Sequence, residues 1–238
     1  MATPASLLEF YTNLLLTITP THCENRFLKI EGTKSSILLK FIIKSSFLYA
    51  GLSASFSIIG LLPIFGDILP RPYLVGNPLE ISGISIEHVA GHIVFGLIVG
   101  AASLGLRYVI IAGLFPIALD SDHLVHFLNI DSIPRMGHSF VFALVSFPIM
   151  MYLLGKKDYR LGAISIAAVL THISFDILLS EPSGTRFPIL IPFSNKMITL
   201  IGLDWVMFLA SAVIVVACGT LLHKRYQQST NLTTQNHN

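Results

Sequence analysis

Apolar positions along this chain fall into long blocks separated by short polar stretches. A helix that crosses a bilayer needs about 20 mostly apolar residues, and residues 45–65, 86–105, 161–180 and 199–222 meet that requirement. Two shorter blocks, 107–120 (RYVIIAGLFPIALD) and 138–154 (HSFVFALVSFPIMMYLL), contain Pro116 and Pro148, which neighbouring helices can accommodate inside a membrane bundle. The pattern predicts an all-α fold: a polytopic membrane helix bundle of six transmembrane helices within residues 45–224. Residues 1–44 read as a cytoplasmic segment with a short surface-lying or packed helix at Leu14-Leu15-Leu16. Residues 225–238 (RYQQSTNLTTQNHN) read as a polar, disordered tail. No internal repeat is visible, and the first residues lack the basic start and small-residue cleavage site of a signal peptide.

Composition fits this solvent. Apolar residues make up 53% of the 238 and charged ones 12%, about half the charged share of a soluble domain. A net charge of +2, spread along the chain, excludes the concentrated basic face that a nucleic-acid partner requires. Membrane lipids are the expected surroundings.

Lys and Arg then set the orientation, because they are retained on the cytoplasmic side near helix ends. With the N-terminus inside, eleven of them are cytoplasmic: Arg26, Lys29, Lys34, Lys40, Lys44, Arg107, Lys156, Lys157, Arg160, Lys224 and Arg225. Only Arg71, Arg135, Arg186 and Lys196 fall in the outer segments 66–85, 121–137 and 181–198. Both termini are therefore expected on the cytoplasmic side of the cell membrane that the chain spans. Cys23 and Cys218 share that side, where thiols stay reduced.

The ionisable residues inside the apolar blocks converge on the other side. His88 and His92 open the second span at its outer end, Asp120, Asp122 and His123 close the third, His126 follows, and His138 begins the fourth. Along the fifth span, His172 and Asp176 lie about 17 and 23 Å from its inner start at a rise of about 1.5 Å per residue. Four helices thus carry potential ligands to one depth. His172 and Asp176 are four apart and share a helix face, as do His88 and His92. An acid such as Asp176 within an apolar span is costly unless partnered, so a functional role is its default reading. Adjacent acids at a helix C-terminus oppose the helix dipole and make a cation there attractive. Mixed imidazole and carboxylate sets bind zinc or another divalent metal, and this layer could hold one or two ions. His22, His223 and His237 fall on the cytoplasmic side and read as solvated.

Five stretches in order, GHIVFG (91–96), LDSDH (119–123), RMGHS (135–139), THISFD (171–176) and PSGTRFPILIPF (182–193), resemble the YdjM-like membrane-bound metal-dependent hydrolases, also described as LexA-binding, inner membrane-associated hydrolases. The resemblance covers about residues 86–195. It implies a metal site of His92, Asp120, Asp122, His123, His138, His172 and Asp176, with Asp122, His138 and Asp176 in catalytic positions. It departs from the family at Arg135, where Pro134 stands before the arginine and one position is missing between it and His138. The family's distant likeness to phospholipase C-type metal enzymes implies a phosphoester or ester of a lipid-like substrate, cleaved by a metal-activated water.

Other activities fit less well. The His-x-x-x-Asp of lipid phosphate phosphatases is present, but Ser183-Gly184 is followed by Thr185 where those enzymes carry His. Glu87-His88 and His92 do not form the His-Glu-x-x-His register of metalloproteases. The rival from a different class is a non-catalytic membrane protein that binds or transports a metal ion or protons through the same residues.

Overall fold

The computed structural model describes residues 32–62, 73–74, 86–129, 132–133, 135–154, 157–180, 183–194 and 196–235. The expected short helix near Leu14, Cys23, His22 and His237 lie outside the described residues. Ile42–Asn238 form one compact unit and Met1–Phe41 another, of which only the first turns of a helix are described.

Among the described residues six α-helices match the six apolar blocks in order: α1 (Gly32–Ile59), α2 (Ile86–Gly100), α3 (Leu106–Leu119), α4 (Phe140–Leu153), α5 (Tyr159–Leu179) and α6 (Asp204–Gln235). Four of them are long and apolar enough to cross a membrane, over Ser36–Ile59, Ile86–Ser103, Tyr159–Leu179 and Asp204–Leu232. Two short antiparallel pairs complete the regular structure. Strand β1 (Tyr73–Leu74) pairs with β2 (Ser132–Ile133), and β3 (Thr185–Phe187) pairs with β4 (Ile198–Leu200).

Boundaries differ from expectation at both ends. The first helix begins at Gly32, inside the segment expected as an N-terminal extension, and stops at Ile59 rather than 65. The last runs to Gln235 through most of the expected disordered tail. The stretch from Arg225 to Gln235 contains neither Gly nor Pro, so no residue there stops a helix already nucleated by the apolar turns before it.

Helix α5 is the axis of the bundle. Its span is 78% buried, against 22–28% for the other three long spans, and α2, α3, α4 and α6 all pack against it. The first half of α5 carries Gly162, Ala163, Ser165, Ala167 and Ala168, and small residues let helix backbones approach closely where lipid, not water, is the solvent. A Cβ added at Gly162 would lie 2.9 Å from the Phe147 carbonyl oxygen of α4. Between α2 and α3 the contact is closer: a Cβ at Gly96 would lie 2.0 Å from the Ala112 carbonyl oxygen.

Polarity is distributed inside out. Ser45, Ser53, Ser57, Ser146, Ser165 and Thr171 are buried, whereas Phe47, Leu144 and Met207 are 76%, 67% and 69% exposed. An apolar perimeter around a hydroxyl-rich interior is what a hydrocarbon solvent favours. The buried hydroxyls have defined partners. Tyr49 donates to the Ser165 carbonyl at 2.9 Å and stacks on Phe115 with ring centroids 4.3 Å apart. Ser53 donates to the Leu119 carbonyl, one of the four that a helix C-terminus leaves open.

Candidate metal centre

Helix α3 ends at Leu119 and the chain continues as a 3-10 stretch, Asp120–Leu128, that begins with both acids. Two features of this terminus place the site. Its Pro116 carbonyl is also one of the last four of the helix, and it accepts a hydrogen bond from Nδ1 of His172 on α5 at 2.9 Å. Ser121 donates to the Ala50 carbonyl of α1 at 2.7 Å, which fixes the turn against the bundle.

Asp120 is the hub. Its Oδ1 faces Nη2 of Arg135 at 2.7 Å and Nε2 of His138, His172 and His123 at 3.3, 3.6 and 3.8 Å. Asp176 lies one turn beyond His172 and takes the other side of the cluster. Its Oδ2 is 3.3 Å from His172 Nε2 and its Oδ1 is 3.3 Å from His92 Nε2. The His92 and His172 rings stack with centroids 4.1 Å apart, and His92 Nε2 is 3.0 Å from His88 Nε2. Gly91 makes this possible, since a Cβ there would occupy the place of the Phe175 ring that packs on His92.

The structure therefore gathers all seven expected residues: His92, Asp120, Asp122, His123, His138, His172 and Asp176. It divides them into overlapping sets. Donor atoms of His92, Asp120 and His172 lie within 4.8 Å of one another, as do those of His88, His92 and Asp176 and those of Asp120, Asp122 and His123. Asp122, completely buried, turns towards a different group: Ser57 of α1 at 3.3 Å, Arg135 Nε at 3.4 Å and His138 Nδ1 at 3.6 Å. The side chain of His126 lies outside the described residues.

Two residues outside the expected ligand set join the site. His88 contacts His92 as its i, i+4 spacing allows. Arg135 takes a left-handed backbone conformation (φ 46°) and thereby enters between the two acids. Burial would lower its pKa, but Asp122 and then Asp120 outweigh that effect and hold the guanidinium firmly charged. His123, in the turn beyond α3, has its pKa lowered by burial and then by Arg135, which keeps its imidazole neutral at neutral pH.

Several buried donor atoms have no hydrogen-bond partner among the described residues: Nδ1 of His92, His123 and His138, and Oδ1 of Asp122 and Asp176. Buried polar atoms are rarely left so. A cavity of about 300 Å³ opens onto the cluster, lined by the polar residues His88, His92, Asp120, Ser121 and His123 and by the apolar residues Val89, Ile117 and Leu124. Comparison with protein-family models, with curated proteins and with solved structures finds no match to the chain.

Proposed function

We propose that the chain is an integral-membrane metal-dependent hydrolase of the YdjM-like kind, acting on a phosphoester or ester of a lipid-like substrate. The observation that carries this reading is the environment of His172. A carbonyl oxygen can only accept, so the bond to Pro116 places a proton on Nδ1, and Nε2 is the nitrogen left to face the cluster, as a lone pair when the ring is neutral. Nε2 lies near two carboxylate oxygens, Asp120 Oδ1 at 3.6 Å and Asp176 Oδ2 at 3.3 Å. With the ring neutral, the imidazole nitrogen and two carboxylate oxygens form a donor set for a cation, which replaces the proton that Nε2 would otherwise share with the acids. In a tetrahedral zinc site with bonds of 2.0–2.1 Å, ligand atoms lie about 3.3 Å apart, close to the spacing here.

In this reading His172, Asp120 and Asp176, with His92 beside them, would hold a divalent cation, zinc first among candidates. Asp120, Asp122 and His123 offer a place for a second ion. The chemistry supplied by a bound divalent cation is polarisation of an ester or phosphoryl oxygen and a lowered pKa of water. Asp122 and His138 are placed to accept or return a proton at His138 Nδ1 and Asp122 Oδ1. Arg135 is placed to orient an anionic oxygen, and the apolar wall of Val89, Ile117 and Leu124 suits an acyl chain. The Lys and Arg distribution supports cytoplasmic termini and a site near the outer face of the inner membrane.

Arg135 also favours a second reading, a non-catalytic protein that binds or moves a metal ion or protons, because its guanidinium already supplies positive charge to both acids. Metal analysis of the detergent-purified chain, followed by a panel of phospholipids, lipid phosphates and simple esters, decides between them. Stoichiometric metal with turnover that chelation abolishes and zinc or manganese restores is expected. Stoichiometric metal without turnover by wild type above a His172→Gln background would overturn the hydrolase reading in favour of the second.

A further inference from the structure

A second polar cluster lies at the opposite ends of the helices, independent of the His/Asp centre. Arg107 and Tyr108 sit at the start of α3, Asp158 and Arg160 at the start of α5, and His223 on α6. Two guanidiniums lie against the Tyr108 ring, with Arg107 Cζ 4.5 Å and Arg160 Cζ 4.4 Å from its centroid. Its hydroxyl donates to Asp158 Oδ2, while Asp158 Oδ1 accepts from the backbone N–H groups of Arg160 and Leu161. His223, expected to be solvated, is 7% exposed, with Nδ1 3.7 Å from the same carboxylate. Its burial follows from the continuation of α6, which keeps that turn packed on α5.

One carboxylate therefore serves a tyrosine, a helix N-terminus and a histidine, beside two arginines. Arg160 Nε is buried and has no hydrogen-bond partner among the described residues. A buried guanidinium N–H without an acceptor is costly, and the acceptor that matches two guanidiniums best is a phosphate. Depth and surroundings identify its source. From Asp204 to His223 α6 rises about 28 Å, close to the thickness of a hydrocarbon core, so the cluster lies at headgroup level. Just below it Leu104, Leu106 and Leu221 are 72%, 71% and 59% exposed, an apolar wall for acyl chains.

We propose that Arg107 and Arg160, both held against the Tyr108 ring, form a specific docking site for the phosphate of one anionic phospholipid. Juxtamembrane basic residues attract anionic lipid in general; this site differs in that the guanidiniums are fixed by a ring. Lys224 and Arg225, fully on the helix surface, carry equal charge without that cradle and serve as the control.

The test is native mass spectrometry of the full-length chain released from detergent with phosphatidylglycerol or phosphatidylcholine, beside thermal unfolding in inorganic phosphate. Wild type should retain one phosphatidylglycerol per chain in preference to phosphatidylcholine. Arg107→Gln with Arg160→Gln should weaken retention by about tenfold or more, the scale of a lost charge-assisted hydrogen bond, and Lys224→Gln with Arg225→Gln should keep it. If the glutamine pair does not fold, the Arg107→Lys, Arg160→Lys pair keeps the charge but loses the fork, and retention should fall towards that of phosphatidylcholine. Unchanged retention in the arginine variants, equal loss in the Lys224/Arg225 control, or equal stabilisation by inorganic phosphate would overturn the proposal.

Discussion

Oδ1 of Asp120 lies closer to Nη2 of Arg135, at 2.7 Å, than to any of the three imidazole nitrogens around it. The arginine thus competes for the oxygen that a metal would use. Charges a few ångströms apart near a protein surface interact by several kcal/mol at an effective dielectric of about 20. Arg135→Gln should therefore tighten zinc binding about tenfold or more, measured by competition with a chromophoric chelator. Weaker binding in the variant would instead make Arg135 a support for the site's geometry.

The overlapping ligand sets yield a prediction about metal content. His172→Gln and Asp176→Asn remove neighbouring donors, and donors of one set act as a unit, so the double variant should lose little more metal than either single one. Asp122→Asn should retain the ion held by His172, Asp120 and Asp176 and lose at most a second one held with His123, because Asp122 is turned towards Arg135 and Ser57. Metal content by elemental analysis checks both statements, and full occupancy in Asp176→Asn would place the ion elsewhere.

Packing without a Cβ can be tested by contrast. Gly96→Ala would drive a methyl to 2.0 Å from the Ala112 carbonyl oxygen, a backbone atom that cannot turn aside, whereas Gly51 has nothing within 4 Å of the added carbon. Overpacking costs about 1–3 kcal/mol, while Ala for Gly in an open helical position stabilises by about 0.5–1 kcal/mol. Thermal unfolding in detergent should therefore fall for Gly96→Ala and hold or rise for Gly51→Ala. Equal behaviour of the two would mean that α2 and α3 are not in contact as described.

Much of this was legible from residue order. The apolar blocks located six helices, and the i, i+4 spacing of His172 and Asp176 placed both on one side of α5, where their 3.3 Å contact occurs. Convergence of four helices on one layer followed from chain direction alone. Arg135 escaped because its position depends on a left-handed turn in a segment with no periodicity. His223 escaped for a different reason: the Lys224-Arg225 pair marks the end of a span, but says nothing about which side of the helix packs on Asp158. The identity of α5 as the axis rests on long-range contacts that a hydropathy pattern does not contain.

The lowered pKa of His123 sets a pH dependence. The folded state keeps this imidazole neutral, while the unfolded chain takes up a proton near the ordinary value of about 6.5. As pH falls through that value the unfolded state binds more protons than the folded one, so stability is full above it and is lost below it. His123→Asn removes this contribution. Between pH 7 and pH 5 the unfolding temperature of wild type should drop further than that of the variant, and identical slopes would remove His123 from the buried cluster.

The last prediction concerns substrate recognition by the cavity. Its polar lining includes His88, His92, His123 and Asp120, and its apolar wall is made of Val89, Ile117 and Leu124; Leu124 is 56% exposed. If a long-chain amphiphile lies against that wall, Leu124→Ser should remove about 50 Å² of apolar contact, worth about 1.3 kcal/mol at about 25 cal/mol per Å², or about tenfold in affinity. The contact is made equally before and during reaction, so it should appear in KM with kcat unchanged. A water-soluble, short-chain ester or phosphoester that does not reach the wall should be hydrolysed by Leu124→Ser at the wild-type rate and with the wild-type KM. Kinetics of the two substrates in mixed micelles check this directly. Equal effects on long- and short-chain substrates, or a fall in kcat for both, would show that Leu124 shapes the metal centre itself and that the chain binds elsewhere.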